Sequence, residues 1–99
     1  MTDVAIRIET NPHGGRYVGT VEGREGEAQL VFSTRGPGRI SADHTEAPDS
    51  LRGTGAALKL VEHMIEDARA RGFKIEPRCP YVAAQLKRHP EWNDVFVEP

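Results

Sequence analysis

The sequence has one cysteine, Cys79, in 99 residues. No internal disulfide can form, which agrees with a reducing compartment and leaves a free thiol to be accounted for. Long apolar runs are missing as well. The longest stretches are interrupted within a few residues, so no membrane-spanning helix is predicted. The start, Met1-Thr2-Asp3, has neither the basic beginning nor the apolar core of a secretion signal, and the expected location is the cytoplasm. An excess of positive charge is also lacking. Thirteen Lys and Arg are mixed with fifteen Asp and Glu along the chain, for a formal net charge of −2, a balance that argues against nucleic acid as a partner. There is no internal repeat, low-complexity segment or linker. What remains is ordinary globular usage, 37% hydrophobic and 28% charged. A chain of this length buries one modest core, so residues 1–99 are expected to form a single domain.

Periodicity gives the elements. Val4, Ile6 and Ile8 alternate with Arg7 and Glu9, the pattern of a strand with one buried face over Val4 to Glu9. Asn11-Pro12-His13-Gly14-Gly15 supplies turn chemistry. Tyr17 to Glu22 and Glu27 to Ser33 then read as two further strands, completing an antiparallel meander. Arg35-Gly36-Pro37-Gly38 interrupts the chain, and Arg39 to Glu46 gives a fourth strand. Without a bulge, Ile40, Ala42, His44 and Glu46 of that strand share one face. The period then changes. Leu58, Val61, Met64, Ile65 and Ala68 recur at helical spacing, with Gly72 as the stop. Phe73 to Glu76, closed by Pro77, reads as a fifth strand running parallel to the fourth through the helix. Pro80 suits the start of a second helix, Tyr81 to Arg88, ended by His89-Pro90. Val95-Phe96-Val97 adds a last short strand. The predicted class is α/β with a mixed sheet: an antiparallel N-terminal meander, a β-α-β unit and a C-terminal helix.

One segment carries a chemical signal. Leu51-Arg52-Gly53-Thr54-Gly55 lies between a strand and a long helix, where the first helical turn leaves backbone N–H groups without partners. The helix dipole adds about half a positive charge at that end, and glycines let a diphosphate approach the backbone. A tight turn would use the same two glycines for geometry alone. A Walker loop would need Lys followed by Ser or Thr, where Ala56-Ala57 stand, and a dinucleotide fingerprint would follow an early strand and carry a third glycine. His44 and Glu46 end the exposed part of the fourth strand, as a general base or as a solvated strand end. His13 and His63 have no partner at metal-ligand spacing, so no metal site is predicted.

The run His44-Thr45-Glu46-Ala47-Pro48, then Leu51-Arg52-Gly53-Thr54-Gly55-Ala56-Ala57, then Cys79-Pro80-Tyr81-Val82 and Arg88-His89-Pro90-Glu91 resembles the small single-domain GNAT-like N-acetyltransferases, from about Tyr17 to Val95. In the wider GNAT superfamily the turn reads Gln/Arg-x-x-Gly-x-Gly/Ala; this sequence matches at Gly53 and Gly55, with Ser50 at the first position. The resemblance implies a GNAT-like fold and acetyl-coenzyme A as donor, with an amine as acceptor, either a small molecule or a protein lysine. It places the pantetheine between splayed fourth and fifth strands beside the backbone of Thr45 to Ala47, and the diphosphate on Arg52, Gly53, Thr54, Gly55 and Ala56. It also puts Cys79 near the thioester, as a nucleophile, as the acid that returns a proton to the coenzyme thiolate, or as a buried hydrophobe. Tyr81 is the second candidate acid. Arg88, within Lys87-Arg88-His89, and Lys59 are candidates for the outer phosphates, and Trp92 covers the core edge. A non-catalytic acyl-coenzyme A-binding or sensing module is the alternative function.

Overall fold

The computed structural model describes residues 3–98. Five strands form one sheet in the order β1-β2-β3-β4-β5: β1 Ala5–Asn11, β2 Gly14–Thr20, β3 Ala28–Gly36, β4 Arg39–Glu46 and β5 Lys74–Pro77. The first four are successively antiparallel, and β4 runs parallel to β5. A 3-10 turn, Asp49–Leu51, precedes helix α1, Ala56–Arg71, which returns the chain to β5; helix α2, Pro80–Arg88, follows, then a second 3-10 turn, Pro90–Trp92. The expected mixed α/β architecture, a meander joined to a β-α-β unit and a C-terminal helix, is the one observed.

Several boundaries differ from the sequence expectation. Gly14 and Gly15 lie inside β2, not in the turn, which shrinks to Pro12 and His13. They are needed for close packing: a Cβ on Gly14 would stand 2.2 Å from the Phe32 carbonyl oxygen, and one on Gly15 2.2 Å from that of Glu9. The β1–β2 turn is instead held by the His13 N–H donating to Asn11 Oδ1 at 2.8 Å. Likewise β3 continues through Arg35 and Gly36, with Gly36 in register with Arg39. Residues 95–97 form a single parallel bridge, Phe96 to Ile75, and not a full strand.

The core is one apolar cluster drawn from β2, β3, β4, β5, α1, α2 and the C-terminal segment. Helix α1 buries Ala56, Leu60, Val61, Met64, Ile65 and Ala68, a stripe at helical spacing, against β2 and β3. Helix α2 packs on β4 and β5, with Val82 inside the same cluster. Arg69 of α1 is tied to the segment after α2 by ion-paired hydrogen bonds to Asp94 at 2.8 and 3.0 Å. The two helices therefore share one face of the sheet. Val18 alternates with the core residues Tyr17 and Gly19 and stands outside the cluster although it has no exposed surface. It points to the opposite face, beneath a charged layer in which Arg7 meets Glu9 and Glu27 at 2.9 and 3.2 Å and Arg16 meets Glu9 and Glu27 at 2.8 and 3.4 Å.

Two consequences are measurable. Leu60 is fully buried, so Leu60→Ala should lower the unfolding free energy by about 2–5 kcal/mol in a denaturant titration. Burial, reinforced by the Asp67 carboxylate that accepts its hydroxyl at 3.0 Å, pushes the Tyr17 phenol above its ordinary value of 10.0. In the unfolded chain the same phenol ionises near that ordinary value. The contribution of Tyr17 to stability is therefore complete below pH 10 and declines as the pH rises beyond it; Tyr17→Phe should remove that alkaline slope.

Candidate functional site

Strand β4 sets the geometry. Its first four residues, Arg39 to Ala42, pair with Lys74 to Pro77 of β5. Beyond Ala42 that pairing ends, while pairing with β3 continues through His44, Thr45 and Glu46. The Cys79 N–H donates to the Ala42 carbonyl at 2.7 Å and closes the shared stretch. Strand pairing between β4 and β5 thus ends at Ala42, and Thr45 to Ala47 have no strand on that side, with Cys79 at the start of α2 as their neighbour.

A bulge decides which side chains meet there. Val31 is in register with His44 and Phe32 with Ala42, so Asp43 is the extra residue. Its carboxylate accepts hydroxyl bonds from Ser33 and from Ser41, the latter at 2.7 Å. The bulge reverses the phase expected from strict alternation. Ala42 faces the core, but it is Thr45, the register partner of Leu30, that joins it on the helix side; His44 and Glu46 turn to the helix-free face. On the helix side Thr45 Oγ1 lies 3.3 Å from Cys79 Sγ. Cys79 is 2% exposed and belongs to the apolar cluster, at the N-cap of α2 with Pro80 as the first helical residue. Tyr81, the second residue of α2, is half-buried, and its hydroxyl has no hydrogen-bond partner among the described residues. Burial pushes its phenol up, with Cys79 and the Glu62 carboxylate adding to the effect. It therefore remains an O–H donor at neutral pH.

On the other face His44 Nε2 and Glu46 Oε2 are 3.3 Å apart. Glu46 also accepts a bond from Gln29. The His44 and Gln29 donors hold the Glu46 carboxyl below its usual range, so it is ionised at neutral pH and a weak proton acceptor. A hollow of about 290 Å³ opens beside it, lined by Glu27, Glu46, Ala47 and Pro48. A larger hollow, about 500 Å³, lies elsewhere, over the β1–β2–β3 end around Asn11, His13 and Ser33.

The turn before α1 adds a third component. Gly53 and Gly55 have φ of +81° and +75°, a left-handed geometry that favours glycine, and a Cβ at either position would meet nothing within 4 Å. The turn is held from inside. Thr54 is buried, its hydroxyl donating to the Leu51 carbonyl at 2.6 Å and accepting the Ala56 N–H at 3.2 Å. The Arg52 and Thr54 N–H groups donate to the Asp49 and Leu51 carbonyls. Of the amides expected from Arg52 to Ala56, those of Gly53 and Gly55 thus have no acceptor among the described residues, nor have those of Ala57 and Leu58 at the helix start, the next N–H, of Lys59, donating to Gly55. Ala57 and Leu58 lie just beyond the stretch Arg52 to Ala56 expected from the sequence, because a helix leaves its first N–H groups unpaired by geometry alone.

The remaining candidates lie apart. Arg88 is exposed at the C-terminal end of α2, a helix length from Cys79. The Arg52 guanidinium is paired with Asp49 at 2.9 Å, and Lys59 lies 3.9 Å from Glu62. Trp92 is buried and stacks on His89 with ring centroids 4.1 Å apart.

Comparison with known proteins follows this outline. The chain is similar to the protein NATD1 of Xenopus tropicalis, 26% identical over 86 residues, covering 87% of this chain and 79% of the relative. The human protein NATD1 is 26% identical over 85 residues, 86% of this chain and 75% of its own. The fold is shared with a GCN5-like protein of Staphylococcus aureus solved by NMR, with a TM-score of 0.69 at 22% identity over 94% of this chain and 89% of that one.

Because the left-handed turn is open on its outer side, Gly55→Ala should cost about 1–2 kcal/mol of stability through backbone strain without a steric clash. Thermal unfolding should report a lowered midpoint with the cooperative transition retained. The family model of GCN5-related N-acetyltransferases matches residues 16–95, and the chain belongs to that family.

Proposed function

We propose that the protein transfers an acetyl group from acetyl-coenzyme A to an amine. The observation that carries this reading is the end of β4–β5 pairing at Ala42, which leaves Thr45 to Ala47 without a strand on that side and leads directly into the open amides at the start of α1. The donor set suits the substrate. The N–H groups of Gly53, Gly55, Ala57 and Leu58 at the positive end of a 16-residue helix would hold a diphosphate. The backbone of Thr45 to Ala47, without a strand on its β5 side, would pair with the amide groups of the pantetheine arm. When bound, acetyl-coenzyme A supplies the thioester carbonyl that the amine attacks.

The chain's own groups divide by face. His44 stands on the helix-free face beside the hollow at Glu27 and Glu46, where an amine can enter, and takes its proton as the C–N bond forms. Glu46, kept ionised, orients the imidazole and does not itself act as the base. Tyr81 stands on the helix side with a free hydroxyl and returns a proton to the thiolate as the C–S bond breaks. Cys79, nearly without exposed surface, positions the end of β4 through Thr45 and is out of reach for acyl transfer. Transfer is then direct, from thioester to amine. Arg88 is left outside this scheme.

The test is thiol release from acetyl-coenzyme A with a panel of polyamines, amino acids and lysine peptides. Turnover is expected with at least one amine, and His44→Ala should lower kcat by roughly 10²–10⁴. Tyr81→Phe should lower kcat with little change in KM, and Glu46→Gln should have a smaller effect than His44→Ala. Incubated with acetyl-coenzyme A alone, the protein should keep its unmodified intact mass. An acetyl adduct lost in Cys79→Ala would overturn direct transfer in favour of a covalent route. Binding without turnover across the panel would make the domain a sensing module.

A further inference from the structure

The two edges of the sheet are treated differently. Beside β5 the C-terminal segment covers the edge: the Ile75 N–H donates to the Val95 carbonyl at 2.8 Å and the Val97 N–H to the Ile75 carbonyl at 2.9 Å. At the other edge β1 has no strand on its outer side among the described residues. Free edges are usually blunted by proline, charged side chains and lysine above all, a bulge or a covering loop, and the two charges of β1, Arg7 and Glu9, are of opposite sign and can pair with a second copy. Strand β1, Ala-Ile-Arg-Ile-Glu-Thr-Asn, has neither proline nor lysine, and its register with β2 is unbroken over all seven residues. It presents a regular edge of about 24 Å at ~3.4 Å per residue.

We propose that β1 is a self-association site, at which a second copy of this chain pairs antiparallel with it about a two-fold axis at Ile8. Charge selects this partner and this register. Arg7 and Glu9 lie on the helix-free face, and Ile6 and Ile8 pack toward the core. With the axis at Ile8, Arg7 of each copy stands opposite Glu9 of the other, giving two attractive cross-strand pairs. Moving the axis to Arg7 sets arginine against arginine, and moving it to Glu9 sets glutamate against glutamate. Those are the adjacent registers that keep both helix layers on one side, and both are repulsive. The favoured register also places Ile8 beside Ile8 at the centre on the helix side. Arg7 already touches Glu9 and Glu27 of its own copy, so the two charged layers merge into one network across ten strands. An isologous contact of this kind closes at two copies, because pairing consumes the free edge of each.

Sedimentation and cross-linking test the arrangement. The mass should rise from 10.9 kDa toward twice that value as protein concentration increases. Arg7→Glu places carboxylates opposite one another across the axis and should return the chain to the monomer mass, with circular dichroism confirming that the variant is folded. Ile8→Cys brings two thiols together at the axis and should yield a covalent dimer under mild oxidation, whereas Asn11→Cys, opposite Ala5 of the other copy, should yield at least tenfold less. The parent chain, whose Cys79 is buried, is the control. A monomer at every concentration up to about 1 mM would overturn the proposal. So would equal cross-linking at positions 8 and 11, or a folded Arg7→Glu variant that still dimerises.

Discussion

Strand β4 has two neighbours for its first four residues and one for its last. That loss of a neighbour is the constraint from which the site follows. A parallel pair needs a long connection, here α1, and the connection leaves from the end of β4 that β5 does not reach. The strand end, the amide-rich start of α1 and the start of α2 are thereby brought to one side of the sheet. Had β5 continued alongside Thr45 and Glu46, their backbone groups on that side would be satisfied within the sheet and closed to a ligand.

The bulge at Asp43 then distributes the side chains. Side chains of a regular strand alternate, so one inserted residue exchanges the faces of everything after it. Here the exchange puts Thr45 beside Cys79 and sends His44 and Glu46 to the face without helices. The result puts the two candidate proton-handling groups, His44 and Tyr81, on opposite faces of the sheet. The Ser33 and Ser41 hydroxyls that bind the Asp43 carboxylate fix the extra residue in place. This polar cluster therefore supports the site from outside it.

Much of the framework was legible in the sequence. The apolar period from Leu58 to Ala68 located α1, and Pro77 and Pro80 bracketed the passage from β5 to α2. The glycine pair at positions 53 and 55 marks the tight turn that opens α1. Three features were hidden for physical reasons. Glycines that admit a neighbouring backbone look the same in sequence as glycines in a turn, so Gly14 and Gly15 read in sequence as part of the turn. A bulge inserts one residue without a compositional mark, so the faces of His44 and Thr45 were interchanged. The open amides depend on which N–H groups the turn uses internally, and the inward Thr54 hydroxyl that claims the Ala56 N–H is a matter of rotamer and burial. Residue types named the components; only the three-dimensional register sorted them into sets.

The central claim is that the unpaired end of β4 and the open turn together receive the acyl donor. Titration of the isotopically labelled protein with acetyl-coenzyme A, followed by amide chemical shifts, tests it most directly. The largest changes should fall on Gly53, Gly55, Ala57 and Leu58 and on Thr45 to Ala47, with Cys79 and Tyr81 perturbed beside them. An unchanged spectrum at saturating ligand, or changes confined to the hollow around Asn11, His13 and Ser33, would contradict it.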